Sequence, residues 1–369
     1  MILFITRKFP PSVGGMQRLS QQLVTAVSGR ARTRVIKWGG SQIWLPLFIP
    51  YALVRALWIL ASQSVDIIHI GDPVLAPLGV LLRAVGRRPV VVNAHGLDVV
   101  YPNRLYQLVI PACMGQLDSV ICISEHTRQL CLDRGIEAQR THVIPVGVDV
   151  DRLALSLSED ERQRWAQRWR LASHPQHILL TVGRLVPRKG VFIFVSEVLP
   201  KLTRRRDDWI YLVVGEGPDR DRIEAAVRNQ ELETRVRVLG QVSDQGLRAA
   251  YALADLFVMP NVPVPGDIEG FGLVTLEARA AGLPIVASAL EGITDSFETV
   301  HDGTLVPPGD AEAFLEAIGS LLEAGLTRED RLRRRNRTAS RYGWSRIAQE
   351  YLAVFRDVQA AYHQGADRA

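Results

Sequence analysis

Short apolar runs alternate with longer amphipathic stretches along this chain of 369 residues. In the first half the runs are Ile2–Thr6, Asp66–Ile70, Pro89–His95, Ser119–Ser124 and Thr141–Val146. In the second half they are His177–Gly183, Trp209–Gly215, Arg235–Gly240, Asp255–Pro260 and Pro284–Ser288. Apolar runs of about four to eight residues, rich in Val and Ile, read as buried strands, and the helix-length segments between them read as crossovers. The alternation predicts a parallel sheet wrapped by helices, and its repetition predicts two. The expected fold class is therefore α/β, with two Rossmann-like doubly wound domains facing each other across a cleft into which strand C-terminal ends and helix N-termini point. The first domain is expected over 1–160 and the second over 170–344. A boundary after Val148 is followed by a charged stretch, Leu157–Leu171, and by Ser173-His174-Pro175, which read as a linker near 150–175. Past Gly343 a last helical pattern (Ile347, Tyr351, Leu352, Phe355, Val358) occupies 345–369.

Within this frame the stretch Asp267–Pro284, DIEGFGLVTLEARAAGLP, combines the most chemistry. Gly270 and Gly272 flank Phe271 just ahead of an apolar-periodic segment (Leu273, Leu276, Ala280) that Gly282 and Pro284 close as a short helix. The free amides and the dipole of such a helix start favour phosphate. Glu269 lies before the turn and Glu277 about one turn into the helix, so both carboxylates are placed to accept hydrogen bonds from hydroxyls attached to the anion. A sugar diphosphate fits that combination. Two other readings compete, a glycine-started helix with two solvated glutamates and a glycosidase acid–nucleophile pair. A helix terminus between the carboxylates suits phosphate better than a scissile ether.

Other segments add weaker signals. Gly14 and Gly15 follow the first strand and precede a helix starting near Met16, where paired glycines expose backbone amides or merely make a turn. His95 ends a strand in NAHGLD; a histidine there is most often simply hydrogen-bonded in place. In VGRLVPRKG, Arg184 and Lys189 flank a strand-to-helix loop that opens at Gly190, so two cations beside a helix N-terminus read as a diphosphate clamp. Gly215 opens GEGPDR after another strand, a partial glycine fingerprint without its third glycine.

Composition is that of an ordinary globular chain, with 47% hydrophobic and 22% charged residues. Cys113, Cys122 and Cys131 show no CxxC or metal-ligand spacing, as expected for buried thiols in a reducing compartment. The N-terminus reads as a strand and lacks the order of a signal peptide. Ile43–Ala61 carries only Arg55 and raises a membrane span, but Pro46 and Pro50 favour a buried helix from about Tyr51 onward. The first 65 residues hold eight Lys or Arg and no Asp or Glu, whereas the whole chain is +5, leaving the remainder at net −3. A one-sided basic region suits an anionic membrane surface or a merely solvated face. No recognised nucleic-acid motif accompanies it, so no nucleic-acid partner is expected. The eight arginines of 328–346 read as a solvated helix face.

EGFG followed by LEARAAGLPIVAS resembles the E-x7-E signature of the retaining nucleotide-sugar glycosyltransferases of family 4, which have the GT-B fold, and GRLxxxKG at 183–190 strengthens the likeness. It extends over nearly the whole chain. The resemblance implies that His95 faces the transferred sugar and that Glu269 orients it. It implies further that Arg184 and Lys189 take the leaving charge, Glu277 holds the ribose, and the backbone around Gly270, Phe271, Gly272 and Leu273 meets sugar and phosphate. Gly14, Gly15, Gly215 and the backbone of Val242 complete the donor contacts, and the C-terminal segment 345–369 packs back on the first domain. Asp149-Val150-Asp151 spells a metal-binding DxD of another glycosyltransferase fold; with cations already in the loops, no metal and no cofactor are expected.

The spellings FPPxxGGxQ and RLVPRKG are most similar to the GDP-mannose-dependent branch that mannosylates phosphatidylinositol lipids, which implies a hexose donor of that kind and a glycan or lipid-linked acceptor. HGLD and the insert NVPVPGD at 261–267 depart from that branch and keep the acceptor and a UDP-glucose or UDP-N-acetylglucosamine donor open. A sugar-nucleotide epimerase on the same fold would need further acid–base groups in the first domain, where no convincing set is found, and a non-catalytic binder would not need the two glutamates, His95 and both cations together. The expected location is cytoplasmic, with a peripheral position on the inner face of the membrane left open; oligomeric state is not legible.

Overall fold

Each half of the chain is built on a six-stranded parallel sheet. A computed structural model describes residues 1–12, 14–153, 157–171, 177–297, 299 and 302–366. The first sheet comprises β1 (Ile2–Thr6), β2 (Thr33–Lys37), β3 (Ile67–Ile70), β4 (Val90–Ala94), β5 (Ser119–Cys122) and β6 (Thr141–Val143), in the order β2-β1-β3-β4-β5-β6. The second comprises β7 (His177–Val182), β8 (Trp209–Val214), β9 (Val236–Gly240), β10 (Leu256–Met259), β11 (Ile285–Ser288) and β12 (Thr304–Val306), in the order β12-β11-β10-β7-β8-β9. Inner strands such as β1, β3, β4 and β8 are buried at every residue, because helices cover both faces of a parallel sheet.

The apolar-run pattern found ten of these strands and missed β2 and β12. Both are edge strands in which only Ile36 and Val306 are buried, so neither needed a continuous apolar run. In each sheet the strand order reverses once, between β1 and β3 and between β7 and β10. Loops leaving the C-terminal ends of such a pair diverge to opposite faces and open a crevice.

The two compact units are residues 1–147 with 342–369, and residues 148–341. These limits correct the 1–160 and 170–344 division, because part of the stretch read as a linker is structured. Glu159–Arg168 is a helix with a Ser158/Glu161 capping box, and it packs on the helix Asp244–Leu253 within the second unit. Ser173-His174-Pro175 lie outside the described residues. Asp149 accepts from the Arg152 amide at the start of a short helix, and Asp151 pairs with Arg335 at 3.0 Å, so the DxD carboxylates serve a cap and a surface ion pair. Arg335, like Arg331 and Arg337, ties the helix Arg328–Tyr342 to its own unit; the run of arginines is only partly a solvated face.

The helix Trp344–Ala366 belongs to the first unit, where Ile347, Ala348, Tyr351 and Phe355 bury against Phe4, Val27 and Ile67. A buried polar chain fastens it. Asn93 donates to the Tyr351 hydroxyl at 2.8 Å and its Oδ1 lies 3.0 Å from His69 Nε2. Burial, outweighing the Asn93 contact, pushes the His69 imidazole down to about 4, so it is neutral. Tyr351→Phe leaves an Asn93 donor unsatisfied and is expected to cost about 1–3 kcal/mol, measured by urea unfolding.

The opposite face of the first sheet is covered by the helices Leu45–Ser62, Ala76–Gly86 and Arg104–Met114. The first of these corrects the expectation of a buried helix from about Tyr51. It starts at Leu45, since Pro46 stands in the first turn where no amide is needed, and only Phe48, Ala52, Ala56 and Ile59 are buried. Cys122 and Cys131 are buried free thiols, whereas Cys113 is half-buried.

Candidate active site

In the second unit the reversal point between β7 and β10 gathers most of the residues singled out above. The loop after β7 runs Gly183–Gly190 and the loop after β10 runs from Pro260 to Gly272. They are in direct contact: the Val262 amide donates to the Arg188 carbonyl at 2.9 Å, and a Cβ on Gly190 would lie 1.8 Å from the Pro260 carbonyl oxygen. Gly190 also has φ +64°, so both the space and the backbone require glycine there. The neighbouring turns join in. Gly215 donates to the Gly240 carbonyl and Leu185 to that of Glu216, each at 2.9 Å, while Glu216 accepts from the Gln241 amide at 3.3 Å. Gly215 and half-buried Val242 thus belong to the same rim of loops as Lys189.

Lys189 and Glu269 meet directly, with Nζ 2.6 Å from Oε2. The same oxygen also accepts from Arg188 Nη1 and, at 3.3 Å, from Asn261 Nδ2. Burial pushes the Glu269 carboxyl up, but Lys189 and Arg188 together overcome it and hold the group at about 2. A carboxyl held that low is ionised near neutrality, which argues against Glu269 as the proton donor of a glycosidase pair, a role that needs a raised value. It remains an acceptor for hydroxyls and a counter-ion that fixes the Lys189 ammonium.

Arg188 was not anticipated. Its side chain is 6% exposed, it donates from Nε to Asp267 at 3.0 Å, and it pairs with Glu269 through Nη1. Asp267 reaches it because Val264-Pro265-Gly266-Asp267 forms a tight turn, with the Asp267 amide on the Val264 carbonyl and φ +76° at Gly266. The insert that departs from the family spelling therefore supplies a second carboxylate to the cluster. The sequence signal was available: a Pro-Gly turn directly preceding an acidic residue, and an arginine adjacent to the expected lysine.

The two cations of the clamp differ in their surroundings. Arg184 is exposed and its guanidinium has no hydrogen bond or ion pair among the described residues, whereas Lys189 is neutralised by Glu269. The clamp is thus one exposed cation and one held, partly buried cation.

The helix Leu273–Ala280 starts as the glycines imply, with Gly272 as its cap in the left-handed conformation and Phe271 buried beneath it. Leu273 and Val274, as first helical positions, have no carbonyl one turn back in the helix. Gly270 is held from outside: a Cβ on Gly292 would fall 2.0 Å from its carbonyl oxygen, and Glu291 Oε2 accepts from the Glu269 amide at 2.5 Å. Half-buried Glu277 accepts from the Tyr251 hydroxyl at 2.9 Å.

In the first unit His95 follows β4, and its ring is more constrained than a histidine beside glycine suggests. Asp98 takes both its amide (2.9 Å) and its Nδ1 (3.0 Å), which fixes the ring and leaves Nε2 as the other nitrogen. Burial opposes ionisation of Asp98, yet the His95 contacts and Lys8 hold its carboxyl below the usual range. Gly14 caps the helix Gly15–Ser28 after β1, and both glycines are exposed.

A sequence profile of glycosyl transferases group 1 matches residues 163–340, and one of glycosyltransferase family 4 matches residues 11–152. The chain belongs to the group 1, family 4 glycosyltransferases. Among the similar proteins, a phosphatidyl-myo-inositol mannosyltransferase of Mycobacterium leprae is 30% identical over 90% of this chain and 84% of its own. A GDP-mannose-dependent alpha-(1-6)-phosphatidylinositol monomannoside mannosyltransferase of Mycolicibacterium smegmatis is 29% identical over 87% of this chain and 89% of its own. Among solved structures, a glycosyltransferase from Rickettsia africae aligns with TM-score 0.80 at 19% identity over 97% of this chain and 98% of that one. Anabaena HepE in complex with UDP aligns with TM-score 0.77 at 20% identity over 96% and 99%. These likenesses show the GT-B fold, two α/β domains each on a six-stranded sheet.

Proposed function

We propose that this glycosyltransferase moves a mannosyl group from GDP-mannose to an acceptor hydroxyl, with retention of configuration and without a metal ion. The observation that carries the reading is the cluster at the β7/β10 reversal, where Lys189 is fixed by Glu269 at 2.6 Å beside a glycine-capped helix start. Departure of a nucleoside diphosphate concentrates charge on its β-phosphate, and a pre-oriented ammonium, the exposed Arg184 and the amides of the helix start stabilise that charge most in the transition state. Glu269, ionised throughout, accepts from sugar hydroxyls, Glu277 accepts from the ribose, and His95 takes the sugar-facing role that the family likeness implies. Mannose and guanosine come from the names of the two relatives at 29–30% identity, which also favour a phosphatidylinositol-type lipid as acceptor.

Nucleotide release from GDP-mannose, UDP-glucose and UDP-N-acetylglucosamine, each followed with and without a chelator, tests this reading. Slow chelator-insensitive release from GDP-mannose alone is expected. Release from a UDP-sugar replaces the donor assignment, chelator sensitivity removes the metal-free claim, and interconverted sugar identifies an epimerase. In a thermal-shift comparison, GDP at a hundredfold excess over its Kd is expected to contribute about 2.7 kcal/mol, a shift of roughly 5–10 °C, with UDP giving less.

A further inference from the structure

Large apolar side chains exposed to solvent concentrate on one helical layer of the first unit. Of the sixteen exposed large hydrophobics among the described residues, fourteen lie between Ile43 and Val109. The helices Leu45–Ser62, Ala76–Gly86 and Arg104–Met114 pack side by side in that order. Their outer faces carry Leu47, Val54 and Trp58 on the first, Val85 on the second, and Leu105 and Leu108 on the third, exposed between 55% and 72%. Apolar surface on this scale across three neighbouring helices marks an interaction face.

Its charge narrows the partner. None of the three helices contains an Asp or Glu, while Arg55 and Arg104 are exposed on them and Arg87 directly after the second. The Arg55 guanidinium sits 5.0 Å above the Trp58 ring, so cation and aromatic are presented together. Tryptophan, leucine and arginine on one face without acids is the composition of a helix lying in a phospholipid interface, apolar side chains among the acyl chains and cations at anionic headgroups.

Two other arrangements fit less well. Leu45–Ser62 is the one helix among the described residues long and apolar enough to cross a membrane, but Phe48, Ala52, Ala56 and Ile59 are committed to the core against the sheet, so it lies along the surface. A two-fold contact between copies would bring this basic face against itself with no acid on the three helices to pair it.

We infer that the outer face of these three helices docks the protein on an anionic phospholipid bilayer. The observations stand apart from donor chemistry, and only the use of docking, delivery of a lipid-linked acceptor, rests on the proposed function. The test is co-sedimentation of the full chain with vesicles of phosphatidylcholine alone and of phosphatidylcholine with phosphatidylglycerol, without donor or acceptor. Partitioning onto the anionic vesicles is expected to be at least about tenfold stronger at low salt and to fall as salt rises. The triple variant Leu47→Asp, Trp58→Asp, Leu108→Asp is expected to lose at least about tenfold in partitioning onto the anionic vesicles, and Arg55→Gln with Arg104→Gln to lose the preference for phosphatidylglycerol. Unchanged circular dichroism and an unchanged urea-unfolding midpoint confirm that the variants are folded. Equal, weak sedimentation with both vesicles overturns the inference, as does undiminished binding by the triple variant. Self-association in sedimentation velocity, abolished by the same substitutions in a protein that ignores vesicles, overturns it in favour of a copy-to-copy interface.

Discussion

Lys189→Ala is expected to lower kcat by about 10²–10³-fold while changing KM for the donor far less. The ammonium is held by Glu269 at 2.6 Å and its side chain is 12% exposed, so it pays little to be oriented when the donor arrives. Such a group interacts modestly with an intact sugar diphosphate, whose β-phosphate shares its charge with the glycosidic oxygen. It interacts more strongly as that bond breaks and the charge localises. Exposed Arg184 lacks a fixed partner among the described residues, so Arg184→Ala should act more through KM. Steady-state kinetics of both variants check this contrast. A Lys189→Ala enzyme that loses only donor affinity would show that the lysine holds the ground state alone.

Glu269→Gln is expected to destabilise the second unit by about 3–5 kcal/mol as well as to impair turnover, because it leaves Arg188 and Lys189 without the carboxylate their partly buried charges share. The same residue sets an acid limit. Its folded value of about 2 lies below the ordinary 4.5, so its contribution is fully present above about 4.5 and lost as pH falls toward 2, on the order of 3 kcal/mol in total. His69 acts in the window above. Its folded value of about 4 lies below the ordinary 6.5, so the unfolded chain takes up the proton first and stability declines as pH falls from about 6.5 to 4. Urea unfolding followed from about pH 7 down to about pH 2 should show both declines in the wild type and only the upper one in Glu269→Gln. An unchanged lower decline would mean that other carboxylates govern acid unfolding.

The sequence made legible what depends on period and on glycine. Ten strands announced themselves as apolar runs, and the helix Leu273–Ala280 was bounded by Gly272 and Gly282 within a residue or two. Side chains whose role depends on a partner far along the chain were hidden. Arg188 reads as one more loop arginine until Asp267 and Glu269, some 80 positions on, fold over it. Asp98 reads as a departure from a family spelling until its carboxylate is seen on His95. The difference between the two clamp cations was hidden for the same reason, since spacing gives the distance between Arg184 and Lys189 along the chain but not the carboxylate that neutralises one of them. Edge strands, and the early start and exposed face of the helix Leu45–Ser62, escaped because apolar content tells little about which face is covered.

The central claim is that the loops after β7 and β10 grip the charged half of an activated sugar. Calorimetric titration of guanosine and of GDP into the wild type and into Lys189→Ala tests it most directly. The account predicts that the wild type binds GDP at least about tenfold more tightly than guanosine, in keeping with charge-assisted hydrogen bonds to the diphosphate, and that Lys189→Ala loses most of that margin while binding guanosine as before. Equal affinity for nucleoside and diphosphate, or a margin untouched by removing Lys189, would contradict it.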